Sequence, residues 1–391
     1  MLRRQFIATG AAATATLATG AGARAQASDV IKVGCVLSMT GPLAGVGRQT
    51  MAGMRLYMQE KGDTVDGKKI QLVLRDDTTA PDVGRRMAQE LIVNEKVNLL
   101  AVGVTPVALA VAPLATEAKI ASVIVVSGTS VVIDRSPMYV RTSWTLGQQA
   151  AVVGEWAAKN GIKKVAIIQS DFAPAAESNQ LFTEFFTKGG GAVTETLKVP
   201  LASADFSPFL QRVADQKPDG LFVFVPGGGP AGAFGRQFRE RGLDKLGIRL
   251  IGTGDITDDE DLPAMGDAML GVVTAGFYAA SHNSALNKAF VAGIAKGNNG
   301  LRANFVTVAG YDGMHAIYEA LKKTGGKTDG PALVDAMKGM KWESPRGPMS
   351  IDAETRDVVH NVYLRRVEKV GNDLVNTEFA TLEAVKDPRR R

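Results

Sequence analysis

Cysteine is almost missing from this chain of 391 residues: Cys35 stands alone, so no disulfide can close within it. Lys32 lies three residues before Cys35, where a lipid-anchoring signal needs an apolar side chain, and Cys35 therefore reads as a buried strand residue. Histidine is nearly as scarce. His282, His315 and His360 are far apart and have no neighbours at metal-ligand spacing, so each reads as surface or structural and no metal site is expected. The patterns G-x-S-x-G, H-E-x-x-H and the phosphate-binding lysine loop are absent, which removes the commonest hydrolase, zinc-protease and nucleotide-hydrolysing machinery. A charge excess is lacking too: of the formal +5, three charges come from Arg3, Arg4 and Arg24, and the rest of the excess from Arg389 to Arg391. A near-neutral body leaves no electrostatic footprint for nucleic acid. Nor is there a membrane-spanning run, because Leu99 to Ala115 falls short of the ~20 apolar residues needed and is broken by Pro106 and Pro113.

What is present is a chain 45% hydrophobic and 22% charged, long enough for about two domains. Its N-terminus carries Arg3-Arg4-Gln-Phe6, a mildly apolar Ala/Thr/Gly stretch and Ala23-Arg24-Ala25. That is the layout of an export signal at residues 1–25, cleaved after Ala25, with a resemblance to the twin-arginine motif. An ordinary secretory signal with two arginines is the alternative, and both routes lead out of the cytoplasm.

From Val30 short apolar runs alternate with helical spacing. Ile31–Leu37, Ile70–Leu74, Leu99–Val102 and Val123–Val126 read as strands; Gln49–Glu60, Val83–Val93 and Pro106–Ala118 read as helices. A second series follows Trp144, with strands at Val165–Ile168, Val193–Val199, Leu221–Val225 and Arg249–Ile251 and helices between them. Two successive βα series predict an α/β protein of two similar lobes with a cleft between them. Gly271 to Gly276 and Ser344 to Pro348 are candidate crossings between the lobes.

Several residues point to that cleft. Thr105-Pro106 suits a helix start, with Thr105 at the cap, and a helix N-terminus with an exposed hydroxyl suits a carboxylate. Ser127-Gly-Thr129 adds hydroxyls at the neighbouring sheet edge. Thr257 and the acids Asp258, Asp259 and Glu260 look like the start of a further helix. Asp255 instead follows a strand and the turn Gly252-Thr-Gly254, at the strand ends where open α/β folds bind ligands. Gly227 to Gly232 satisfies G-x-G-x-x-G, but no ribose-binding acid stands about 20 residues later, so a close backbone turn toward the cleft is the better reading.

The opening Ile31-Lys-Val-Gly-Cys-Val-Leu-Ser-Met-Thr-Gly-Pro42 resembles that of the periplasmic substrate-binding proteins of branched-chain amino acid ABC transporters. Asp76-Asp77, Val140 to Ser143, Ser170-Asp-Phe172, Asp205 to Phe209, Gly252 to Asp255 and Gly310-Tyr-Asp-Gly-Met314 continue the likeness along the mature chain. The resemblance implies a type I periplasmic binding protein, non-enzymatic and without cofactor: two Rossmann-like lobes joined by three crossings, closing over a small ligand. Residues 29–145 and 278–345 would form lobe 1, and 146–277 and 346–391 lobe 2. It also implies that Thr105, Ser127 and Thr129 hold a ligand carboxylate, that Asp255 meets an ammonium, and that Phe172 covers the ligand. Val46, Gly228 and Phe305 complete the expected contact set. Val46 and Gly228 stand where such proteins often have aromatics, and Asp171-Phe-Ala-Pro-Ala175 lacks the phenol of the family's Asp-Tyr-Gly turn. The expected ligand is an amino acid, passed to the transporter's permease subunits. A roomier cleft for an aromatic or other non-amino organic acid is the alternative, and an exported dinucleotide-dependent oxidoreductase is the alternative of another class.

Overall fold

The computed structural model describes residues 30–201, 205–227 and 229–390. The expected signal and its cleavage site, and Gly228, lie outside the described residues.

The first series folds as β1 (Val30–Leu37), α1 (Ala44–Lys61), β2 (Thr64–Val65), β3 (Lys68–Asp76), α2 (Pro81–Val93), β4 (Leu99–Val102), α3 (Thr105–Glu117), β5 (Ser122–Ile124) and β6 (Tyr139–Arg141). Its sheet has the order β2-β3-β1-β4-β5-β6, parallel except for the short β2–β3 pair. All four residues of β4 are buried, as an unbroken apolar run between two helical layers should be. Cys35 lies in β1, wholly buried as expected, with its thiol pushed up to about 12 by burial.

The second series comprises α4 (Leu146–Lys159), β7 (Lys164–Ser170), α5 (Ala173–Lys188), β8 (Ala192–Val199), α6 (Ser207–Gln216), β9 (Gly220–Phe224), α7 (Gly229–Glu240), β10 (Arg249–Thr253), α8 (Leu262–Met265) and β11 (Val273–Gly276). The chain then returns to the first lobe as α9 (Ala285–Gly297), α10 (Phe305–Lys323) and α11 (Gly330–Met337). It ends on the second sheet as β12 (Lys341–Ser344), β13 (Gly347–Ile351), β14 (Val358–Val370) and β15 (Asp373–Val385). That sheet runs β12-β13-β14-β11-β10-β9-β7-β8, with β15 paired to β14. Gly271 to Gly276 is thus largely strand β11, with the crossing after it, and Ser344 to Pro348 turns the β12–β13 hairpin.

Two α/β lobes and three passages between them match the expected architecture. Sheet membership puts the passages at residues 142–145, 277–284 and 338–340. Lys341–Ser344 pairs into the second sheet, yet Trp342 packs on the core of the first lobe, so this hairpin serves both. Helices α1 and α10 touch through glycines: a Cβ on Gly53 would lie 1.8 Å from Thr307 O, and one on Gly310 would lie 2.2 Å from Thr50 O.

Candidate functional site

Helix α3 begins at Thr105 with Pro106 second; Val104 is the extended flanking residue, and no side chain caps the helix. The expectation that Thr105 caps α3 is corrected here. Already in helical conformation, Thr105 turns its hydroxyl across the sheet edge, 2.8 Å from Ser127 Oγ and 3.2 Å from Thr129 Oγ1. Arg141 holds the Ser127–Ser130 loop by its carbonyls, donating to Ser127 O, to Thr129 O at 2.7 Å and to Trp144 O at 3.0 Å. Its own charge is met by Asp357 at 2.8 Å, both side chains being buried.

Between the lobes lies a cavity of about 130 Å³ lined by apolar side chains together with Thr79, Thr105, Ser127, Trp144 and Asp255. Among the described residues no lysine or arginine lines it. Four aromatic rings from four separate segments do. Trp144 in the first crossing meets Phe305 of α10 edge to face at 5.1 Å, and Phe172 before α5 stacks on Phe224 of β9 at 5.9 Å. Such a chamber can hold a flat apolar body, with the hydroxyl cluster and the positive end of α3 taking an anionic group.

Asp255 lies in a 3₁₀ turn, Gly254–Thr257, after β10. Its Oδ2 accepts from Thr253 Oγ1 at 2.9 Å, and the N–H of Gly227 also points to the carboxylate. Burial pushes its pKa up to about 6, against the lowering pull of Thr253 and the Arg365 charge. The neighbouring acids do not start a helix: α8 begins only at Leu262. Asp258 accepts from the Glu260 N–H at 3.0 Å in a local turn and also from Asn304 Nδ2 at 3.0 Å, and Asp259 accepts from Asn376 Nδ2 at 3.1 Å, so these acids brace distant elements. The turn at Gly227 packs closely against Asp258 of its own lobe and Phe305 of the other, since a Cβ there would lie 2.8 Å from Asp258 Oδ2 and 3.1 Å from the Phe305 ring.

Of the expected contact residues, the structure brings Val46, Thr105, Ser127, Phe172, Asp255 and Phe305 to the cavity wall. Thr129 stands behind it through its bond to Thr105. Trp144, Phe224, Leu43 and Leu146 line the wall and were missed. Phe224 had a signal, since it ends a buried strand at the ligand-facing sheet edge. Trp144 had only its place at the junction of the two series.

A family model described as periplasmic binding protein matches residues 30–372. A Leu/Ile/Val-binding protein homologue of Brucella abortus (strain 2308) is 40% identical over 381 residues, spanning 96% of this chain and 98% of its own. Among solved structures, the solute-binding protein of an ABC transporter from Rhodopseudomonas palustris BisB5, in complex with 3,4-dihydroxybenzoic acid, is 57% identical with a TM-score of 0.91, covering 93% of this chain and 100% of that one. A second R. palustris ABC transporter solute-binding protein, in complex with 4-hydroxybenzoate, is 40% identical with a TM-score of 0.89, covering 92% and 99%.

Proposed function

This chain belongs to the periplasmic binding protein family, and from that premise we propose that it is the solute receptor of an ABC importer for an aromatic carboxylic acid, a benzoate carrying one or two ring hydroxyls. The observation that carries the reading is the wall of the cavity. Phe172 and Phe224 on one lobe and Trp144 and Phe305 across from them suit a planar ring. A volume of about 130 Å³ is on the scale of the ~150 Å³ apolar cavity that accepts benzene. Thr105, Ser127 and the α3 N-terminus supply the carboxylate end, where hydroxyl and amide donors make charge-assisted bonds without a lysine or arginine. The two aromatic-acid complexes of similar proteins support this assignment.

An amino acid is the competing ligand, in keeping with the Brucella relative's description. It would need a full negative charge for its ammonium. Asp255 is the only acid in the wall among the described residues, it is already bonded to Thr253 and Gly227, and burial disfavours its ionised form. A neutral ring hydroxyl, which can accept from the protonated carboxyl, suits it better. In the same reading residues 1–25 direct export to the periplasm, the lobe of residues 29–145 and 278–345 closes against that of 146–277 and 346–391 with the β12–β13 hairpin shared between them, and the permease subunits receive the ligand.

Titration calorimetry with 4-hydroxybenzoate, 3,4-dihydroxybenzoate and leucine tests the reading. The hydroxybenzoates are expected to bind at least ~100-fold more tightly, a difference of about 2.7 kcal/mol. Leucine binding as tight as theirs would overturn it.

A further inference from the structure

We propose that the indole N–H of Trp144 is a ligand-binding donor that reads the carboxylate from the interlobe crossing; this rests on the aromatic-acid reading above. The indole is 4% exposed and forms part of the cavity wall. Among the described residues no hydrogen-bond partner meets its Nε1, whereas the indole of Trp342 donates to Asp312 Oδ1 at 3.1 Å. An indole nitrogen can only donate, and a buried one normally finds an acceptor. Nε1 itself keeps some access to the cavity, so its acceptor is whatever fills the chamber, water or a ligand.

The position of Nε1 indicates which group that is. It lies 3.4 Å from where a Cβ on Gly128 would stand, and Gly128 follows Ser127, whose hydroxyl is 2.8 Å from that of Thr105. The indole N–H and the hydroxyl cluster thus share one end of the cavity. The ring is also held in place before any ligand arrives. It stacks on Phe277 at 5.0 Å, meets Phe305 edge to face, and its backbone carbonyl accepts from Arg141. A donor so fixed loses little freedom on binding, which is what a specificity contact requires. The amino acid after Ser127 must also be small, because a Cβ at Gly128 would press within 2.9 Å of Leu146 Cγ.

The test separates this proposal from the reading beneath it. In a ¹H–¹⁵N spectrum the indole signals of Trp144, Trp156 and Trp342 are assigned by single Trp→Phe substitutions, and 4-hydroxybenzoate is added to the wild-type protein. The Trp144 signal is expected to move downfield and to become protected from solvent exchange. The Trp144→Phe variant keeps a ring on Phe277 but removes the donor. Its affinity for 4-hydroxybenzoate should fall by about tenfold or more, while that for 4-methylphenol, which has a methyl in place of the carboxylate, should change less than about threefold. Equal losses for both ligands would show a packing role only. If the wild-type protein binds the acid while its Trp144 signal stays put, the proposal falls and the reading stands; if it binds no aromatic acid, both fall. Should the variant fail to fold, the wild-type spectrum alone still decides.

Discussion

At Asp255 the sign of a pH effect distinguishes the two ligand classes. Its folded pKa of about 6 lies above the ordinary 3.8, chiefly through burial, so the folded protein holds this proton more tightly than the unfolded chain does. Ionised Asp255 therefore costs stability, fully above about pH 6, on the order of 3 kcal/mol, and the unliganded protein should recover that stability as the pH falls toward about 4. A benzoate bound in the same chamber would raise this pKa further. Its affinity should increase from about pH 8 to about pH 6, with net proton uptake seen in calorimetry across buffers of different ionisation enthalpy. An ammonium ligand reverses the slope, and Asp255→Asn should flatten it. Thr105→Val keeps the shape of its side chain and removes the hydroxyl. A lost charge-assisted bond of roughly 1.5 to 3 kcal/mol should weaken 4-hydroxybenzoate by at least tenfold with the melting temperature little changed; unaltered affinity would take Thr105 out of the site.

Among elements, two of the three crossings are gathered by one buried ion pair. Arg346, in the β12–β13 turn, donates to Thr142 O and Ser143 O of the first crossing, stacks over Phe277 at the second, and pairs with Asp312 of α10 at 2.7 Å. Asp312 also accepts from Trp342 and Ser344. Asp312→Asn would strand a guanidinium that is fully buried. We expect a loss of about 3 to 5 kcal/mol in urea unfolding, and a variant as stable as the parent would show that the crossings do not depend on the pair. Gly310-Tyr-Asp-Gly was legible as a family-like string, without a reason for its residues. The structure supplies two: Gly310 lets α10 touch α1, and Asp312 holds the Arg346 clasp.

For the whole molecule, the cleft is bridged by bonds that exist only while the lobes face each other. Ser130 donates to Glu177 Oε1 of α5 through its N–H at 3.0 Å and its hydroxyl at 2.6 Å. Asn304 donates to Asp258, and the Arg302 N–H to Glu260 Oε2 at 2.7 Å. A ligand touching both walls adds to these and shifts the population toward the closed form. Small-angle scattering should show a smaller radius of gyration at saturating 4-hydroxybenzoate. Glu177→Ala should bind more weakly, chiefly through faster release, because its closed form has lost a bridge. Superimposable curves with and without ligand would rule out hinge closure.

The residues by themselves determined what depends on neighbours in the chain. Apolar runs of strand length between helical repeats set the order of elements, and the residues flanking Pro106 marked a helix start facing the cleft, because period and backbone preference act over a few positions. Fold and a cleft with a hydroxyl-bearing edge were legible on that basis. The tertiary structure decided how the acids after Gly254 are used, since Asn304 and Asn376 reach them from far along the chain. It also decided which rings line the cavity. Trp144, Phe172, Phe224 and Phe305 are remote in sequence and meet only when two sheets and a crossing are packed together. Ligand shape and donor pattern arise from that convergence, which no local spacing encodes.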